Sequence, residues 1–151
     1  HTDHELEPYR KLLTASVPIP AVMVAHLMHT EHDPRHPASL SNRVIDGLLR
    51  GQLRFGGVVV TDSIDMAAIS DLYSAGRATV LALHAGADLV VNGFNLGSDR
   101  EHPARAMSDA MHAAIDSGEL SIARVRESIA RLARWRGATK RAAHATPGSC
   151  G

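Results

Sequence analysis

The chain contains 151 residues, and its 16 lysines and arginines balance its 16 aspartates and glutamates, so the formal net charge is zero. This balance excludes the strongly basic surface that binds nucleic acid or an anionic membrane. The single cysteine, Cys150, excludes an intrachain disulfide and a cysteine zinc site. No apolar run approaches the ~18 residues of a membrane span. The first residues lack a methionine and do not form a signal peptide, which suggests a processed or truncated product.

Helical and strand-like patterns alternate along the chain. The first predicted helix spans residues 5–15, and Pro8 is tolerable only in its first turn. Ser41 or Asn42 and then Ser121 are suited to cap two later helices. Periodicity is lost after residue 136, so residues 137–151 are predicted to be an extended or disordered tail. The predicted strands cover residues 21–25, 58–62 and 88–92, and the later helices cover 42–53, 75–85, 103–117 and 121–136.

The strands predict an α/β fold with a parallel sheet. Three consecutive valines, Val58 to Val60, are typical of a strand that is buried on both faces. Strands that alternate with helices form parallel sheets with right-handed crossovers. Three strands leave two open edges, and a complete β/α barrel needs about 250 residues. We therefore expect that other chains cover the edges or that the chain is part of a larger fold.

Polar residues stand where each predicted strand ends. His26, Asp62 and Asn92 would meet at one rim of a parallel sheet, which is where such folds bind ligands. Asp62 could act as a nucleophile or base, with Asp65 orienting it, or it could be an ordinary cap or turn residue. No metal site is predicted, because the spacing of the histidines in this region fits no common zinc pattern. These histidines are His26, His29, His32 and His36.

The last helix is predicted to present an apolar inner face and a solvated arginine face. The inner face would hold Ile122, Val125, Ile129 and Leu132, and the outer face would hold Arg124, Arg126, Arg131, Arg134 and Arg136. Asp88, at the start of the third strand, is interpreted as a structural cap. The Gly56–Gly57 pair precedes its strand, so it suits a tight turn and not a phosphate-binding loop.

The segment from Leu48 to Asp65 resembles the active-site signature of glycoside hydrolase family 3. The matching parts are residues 48–52 and 57–65, and residues 20–26, 37–41 and 85–89 are similar to flanking segments of the family in the same order. The resemblance implies a TIM-type (β/α)8 barrel and a retaining mechanism in which Asp62 is the nucleophile. It further implies that His26, Asp65 and Met66 contact the carbohydrate substrate and that no cofactor is needed.

The pattern is most similar to the single-domain β-N-acetylglucosaminidases of the family, which act on cell-wall aminosugars. A β-glucosidase or xylosidase of the same family and a non-catalytic half-barrel that binds through its open edges are the alternatives. The resemblance favours the cell envelope or secretion as the location. Ser63 stands where this branch commonly has a second aspartate, which puts the local hydrogen bonding in question.

The branch also has a Lys-His-Phe-Pro-Gly-His-Gly segment and an Asp-x-His acid/base loop, and neither occurs in this sequence. The chain therefore resembles the C-terminal half of the barrel, with residues 1–136 as the barrel part. We expect a separate or cleaved N-terminal half as its partner. Without that half the chain is expected to be inactive, because the acid/base residue is missing.

Overall fold

The computed structural model describes residues 3–16, 18–93 and 103–144. Three strands and the helices between them alternate in the predicted order. The strands are β1 (Ala21–Val24), β2 (Val58–Ser63) and β3 (Leu89–Val91). The α-helices are α1 (Asp3–Leu13), α2 (Ala67–Ser70), α3 (Ala75–Ala85), α4 (Ala104–Asp116) and α5 (Ile122–His144), and a π-helix (Arg43–Gln52) lies between β1 and β2.

The three strands form one parallel sheet in the order β1-β2-β3. The π-helix connects β1 to β2, and α2 and α3 connect β2 to β3, so each parallel pair is joined by a helical crossover. Val58 and Val59 are almost fully buried, as the valine run predicts. The predicted α/β class and the parallel sheet are confirmed.

The main hydrophobic core lies between one face of the sheet and the helices. Val59 packs there with Ile45 of the π-helix and with Ala78, Ala82 and Ala85 of α3. Ser41 caps the π-helix, because its Oγ accepts a hydrogen bond from the Val44 N–H at 3.3 Å. Gly86 ends α3 with φ of 115°, a left-handed conformation that glycine adopts without strain.

The opposite face of the sheet is partly open. Met23 pairs with Val60, and Val60 pairs with Leu89, so the three side chains form one row across the sheet. Val60 is buried, whereas Met23 is 62% exposed and Leu89 is 38% exposed. In a β/α barrel this face lies inside, where layers of side chains from the other strands cover it. The apolar row therefore matches a barrel interior.

Two helix boundaries differ from the predictions. Helix α1 begins at Asp3, so Pro8 lies beyond the first turn to which it was assigned. Helix α5 continues to His144, so residues 137–144 are helical and the prediction of an extended tail is wrong for them. Alanine, lysine and arginine dominate this segment, and their high helix propensity extends the helix although it has no apolar stripe. Residues 145–151 lie outside the described part of the chain. None of the helices in the described residues combines the length and the apolar character that a membrane span requires.

The buried carboxylate of Asp88 joins the sheet to the π-helix and to α5. Its side chain is 0% exposed, and it accepts hydrogen bonds from Arg50 at 2.7 Å, Arg131 at 3.0 Å and the Val59 N–H at 3.0 Å. Arg124 at 3.2 Å and the Ser128 hydroxyl at 2.9 Å complete the set. Burial alone would raise the pKa of Asp88, but these hydrogen bonds and charges hold it below its ordinary value.

This arrangement corrects the predicted orientation of the last helix. Arg124, Ser128 and Arg131 lie at positions i, i+4 and i+7 of α5 and face inward, so Arg124 and Arg131 do not belong to a solvated face. Ile122 and Ile129, predicted to face inward, are 54% and 60% exposed. The physical reason is the buried negative charge of Asp88, which requires basic partners and turns the polar stripe of the helix toward the sheet.

Candidate active site

Asp62 lies at the carboxyl end of β2, where the sequence places it. Its side chain is half-buried, and its Oδ1 accepts a hydrogen bond from the Ser63 N–H at 2.7 Å. The other carboxylate oxygen has no hydrogen bond to any described residue. A carboxylate with one anchored and one free oxygen at the rim of a parallel sheet is suited to attack a bound ligand.

The register of β2 against β3 shifts between Val60 and Ser63, the segment that contains Asp62. Val60 pairs with Leu89 and Ser63 pairs with Val91, so three steps along β2 match two steps along β3. This is a β-bulge with one additional residue in β2. Thr61 is fully buried, and its Oγ1 accepts a hydrogen bond from the Val91 N–H at 3.1 Å. The backbone pairing resumes where the Ile64 N–H donates to the Val91 carbonyl at 2.9 Å.

Ser63 connects the end of β2 to the end of β3. Its Oγ accepts a hydrogen bond from the Gly93 N–H at 2.5 Å and donates one to the Asp65 carboxylate. The hydrogen bond from Ser63 lowers the pKa of Asp65, although partial burial opposes the shift. A serine at this position therefore makes local hydrogen bonds of its own, to Asp65 and Gly93.

His26 follows β1 and is buried against the same residue. Its Nε2 lies 2.9 Å from the Ser63 carbonyl oxygen, and its Nδ1 lies 2.6 Å from the Ser39 hydroxyl. A carbonyl only accepts hydrogen bonds, so Nε2 must carry a proton, and in the neutral ring Nδ1 then accepts from Ser39. Both ring nitrogens support the rim of the sheet. Contact between His26 and substrate stays a prediction.

Met66 lies at the same rim and is the N-cap residue that precedes α2. Its backbone N–H donates to the Ser63 carbonyl at 3.1 Å, and its side chain is 47% exposed. Ser63 thus contacts all four predicted site residues: Asp62 through its N–H, Asp65 through its hydroxyl, and His26 and Met66 through its carbonyl. The sequence marks Ser63 only as a departure from the family pattern, so its central place was missed.

The loop with the other histidines is organised by Asp33. Its carboxylate accepts hydrogen bonds from the Arg35 N–H at 2.9 Å, the His36 N–H at 3.2 Å and the Ser41 hydroxyl at 2.8 Å. Burial would raise the pKa of Asp33, but the hydrogen bonds outweigh it and lower the pKa to about 2. Among the described residues, no group of three or more His, Cys, Asp or Glu side chains is arranged to hold a metal ion.

Parallel strands joined by helices, with a carboxylate at the carboxyl end of β2, match part of a β/α barrel. The chain belongs to glycosyl hydrolase family 3, since the model of the glycosyl hydrolase family 3 N terminal domain matches residues 2–135. The resemblance found in the sequence is thereby confirmed.

Known relatives and structures agree with this family. The chain is 36% identical to beta-hexosaminidase LpqI of Mycobacterium tuberculosis in an alignment of 139 residues that covers 88% of this chain and 34% of that protein. A family 3 beta-N-acetylglucosaminidase of Paenibacillus sp. superposes with a TM-score of 0.78 at 37% identity, covering 100% of this chain and 28% of the other. For the beta-N-acetylglucosaminidase of Thermotoga maritima the TM-score is 0.75 at 27% identity, covering 87% and 28%. The chain thus spans about a third of the length of the first of these relatives.

Proposed function

We propose that the chain is the nucleophile-bearing part of a retaining exo-β-N-acetylglucosaminidase that acts on peptidoglycan-derived aminosugars. The observation that carries this proposal is the position of Asp62, which has one carboxylate oxygen held by Ser63 and lies at the ligand-binding rim of a family 3 barrel fragment. The names of the relatives, beta-hexosaminidase and beta-N-acetylglucosaminidase, support an aminosugar as the substrate.

In the proposed reaction, Asp62 attacks the anomeric carbon of the sugar while an acid protonates the leaving oxygen. The resulting glycosyl-enzyme is hydrolysed by water, which the same acid/base residue activates, and the configuration is retained. Asp65 is unsuited to be this acid, because its hydrogen bond from Ser63 lowers its pKa and keeps it ionised. The acid/base residue is therefore expected on another segment of the barrel.

We further propose that the other strands of the barrel pair with β1 and β3 at the edges of the sheet and cover its open face with their side chains. The row of Met23, Val60 and Leu89 is apolar and is exposed at Met23 and Leu89, and an N-terminal half-barrel would bury these two side chains. The completed barrel is this chain together with the strands that supply the acid/base residue, either in one natural product or as two chains. Alone, the chain is expected to lack activity, since acid/base catalysis contributes about 10²–10⁴-fold to the rate.

The nucleophile is tested by labelling the completed barrel with a fluorinated aminosugar substrate whose glycosyl-enzyme breaks down slowly. Peptide mass spectrometry is expected to find the adduct on Asp62, and an adduct on any other residue would contradict the assignment. Asp62→Asn is expected to abolish labelling and turnover without unfolding the protein. Asp109→Asn is the matched control, because Asp109 is exposed on α4 and, among the described residues, forms an ion pair only with Arg105, at 3.9 Å.

The substrate is tested with 4-nitrophenyl glycosides. Hydrolysis of the N-acetylglucosaminide but not of the glucoside or xyloside supports the proposal, and the reverse preference selects the β-glucosidase or xylosidase alternative. A soluble 16.1 kDa monomer that never associates with a complementary half would favour a non-catalytic module. Sizing and mass spectrometry of the purified protein distinguish the two.

A further inference from the structure

Two hydroxyl side chains flank Asp62, and they bind backbone amides at the end of β3 and two residues after it. Thr61 Oγ1 accepts from the Val91 N–H at 3.1 Å, and Ser63 Oγ accepts from the Gly93 N–H at 2.5 Å. In a regular parallel pair these amides would donate to backbone carbonyls. Here two alternate side chains of β2 accept from two alternate amides, those of Val91 in β3 and of Gly93 after it. We refer to the Thr61 and Ser63 hydroxyls as the hydroxyl pair.

The hydroxyl pair leaves Asp62 outside the regular sheet pairing. On the β1 side the register of β2 ends at Thr61, which pairs with Val24, and on the β3 side it passes from Val60 directly to Ser63. The additional residue of a bulge bends the strand and turns a side chain in a new direction. The anchors on either side fix that direction, and the Ser63 N–H then holds one carboxylate oxygen at 2.7 Å.

Burial and steric fit make both anchors specific. Thr61 is 0% exposed, so water cannot replace its hydroxyl at the Val91 amide. A Cβ on residue 93 would lie 2.8 Å from Ser63 Oγ, so a side chain at this position would push the Ser63 hydroxyl out of its present place. His26 adds a third support, because its Nε2–H binds the Ser63 carbonyl from the β1 side.

We propose that Thr61 and Ser63 are positioning residues that aim the Asp62 carboxylate at the anomeric carbon. The proposal rests on the assignment of Asp62 as the nucleophile. Neither hydroxyl takes part in the chemistry, since both act through the backbone geometry on the two sides of residue 62. A displacement of about 1 Å at a reacting group costs on the order of 10²-fold in rate, so a small rotation of Asp62 is sufficient to matter.

The first test measures the hydroxyl pair itself, independently of catalysis. Amide hydrogen exchange at Val91 and Gly93 is compared in the wild-type chain, Thr61→Val and Ser63→Ala. Loss of one hydrogen bond is expected to accelerate exchange roughly 2- to 12-fold at Val91 for Thr61→Val. At Gly93 the acceleration for Ser63→Ala is expected toward the lower end of this range, because Asp65 Oδ1 also accepts from this amide at 3.3 Å. Thr61→Ser retains the hydroxyl and is expected to keep Val91 protected. Unchanged exchange in both deletion variants would contradict the pairing.

The second test measures positioning in the completed barrel. Turnover is expressed per active site, counted from labelling of Asp62, so that partly unfolded protein does not lower the value. Ser63→Ala is expected to lower kcat about tenfold and Thr61→Val about 10²-fold, with little change in KM, while Thr61→Ser retains most of the activity. Ser63 lies at the half-exposed rim, so its variant provides the test if Thr61→Val does not fold.

The results separate the two proposals. Faster exchange with unchanged kcat, or a loss confined to KM, would overturn the positioning role and leave the nucleophile intact. Full activity and labelling of Asp62→Asn would instead overturn the nucleophile assignment. Faster exchange together with a kcat loss that Thr61→Ser does not show supports both.

Discussion

The buried carboxylate of Asp88 provides the sharpest test of the fold. Replacing Asp88 with asparagine keeps the shape of the side chain and an acceptor for the Val59 N–H, but it removes the negative charge. The new amide group would also place N–H donors against guanidinium donors. Arg50, Arg124 and Arg131 are only 12%, 15% and 18% exposed, so water compensates their charges poorly.

Removal of one partner from a buried ion pair typically costs about 3–5 kcal/mol, because the remaining charge stays buried without compensation. At the size of this chain, 1 kcal/mol corresponds to about 2–4 °C in Tm. Asp88→Asn is therefore expected to lower the free energy of unfolding by about 3–5 kcal/mol and Tm by roughly 6–20 °C. Two of the arginines have second acidic neighbours, Asp46 and Glu127, which place the expected loss toward the lower value.

The assay is urea unfolding followed by the fluorescence of Trp135, the single tryptophan of the chain. Trp135 lies on α5 and lines a cavity with Pro18, Pro20 and Gly57, so it reports whether α5 stays packed against the sheet. Glu119→Gln is the matched control, because it breaks an exposed pair with Arg77 and is expected to cost less than about 1 kcal/mol. If Asp88→Asn costs no more than this control, the buried charge does not hold the fold together.

Three further predictions concern Asp33 in the histidine loop, Gly57 in the turn before β2 and His26 at the rim of the sheet. The pKa of Asp33 falls from 3.8 to about 2 on folding, so its carboxylate contributes stability that is present above pH 3.8 and is lost as the pH falls through about 2. This contribution is about 2 kcal/mol, and Asp33→Asn should remove it from urea unfolding measured between pH 2 and 5. Gly57→Ala would place a Cβ 2.6 Å from the Pro20 carbonyl oxygen and is expected to cost about 1–3 kcal/mol of stability. Gly56→Ala is the neutral control, because a Cβ there would have no atom of the described residues within 4 Å apart from its own chain neighbours. Equal shifts in Tm for the two variants would refute the clash. His26→Ala leaves the buried Ser39 hydroxyl without its ring partner and is expected to cost about 1–3 kcal/mol, part of which Ser39→Ala should restore in a double-mutant cycle.

Elements with strong local signals could be predicted from the sequence. Helix α3 spans residues 75–85 as predicted, because it is apolar nearly all round and ends at Gly86. The valine run predicts β2, and the alternation of strands and helices predicts the parallel sheet. Asp62 could be placed at the rim for the same reason, because every parallel strand delivers its last residue to the same edge.

The missed features depend on contacts between distant residues. The orientation of α5 is set by Asp88, which lies 36 residues before Arg124 and 43 before Arg131, so periodicity within the helix could not reveal it. The hydroxyl pair likewise depends on a register shift between β2 and β3. Thr61 and Ser63 look like ordinary strand residues until the partner amides are in place. Neither the contact of Asp88 with α5 nor the bulge at the end of β2 leaves a pattern in the local sequence.

The Asp88 cluster also has a consequence for the order of synthesis. A ribosome makes Asp88 before it makes Arg124 and Arg131, so Arg50 is at first the only one of the three arginines that can pair with this carboxylate. Because the chain is synthesised from its N-terminus, the contacts of Asp88 with α5 can form only after this helix has been made. The sheet and α3 can therefore assemble early, whereas the carboxylate obtains its full set of basic partners only after α5 has been translated.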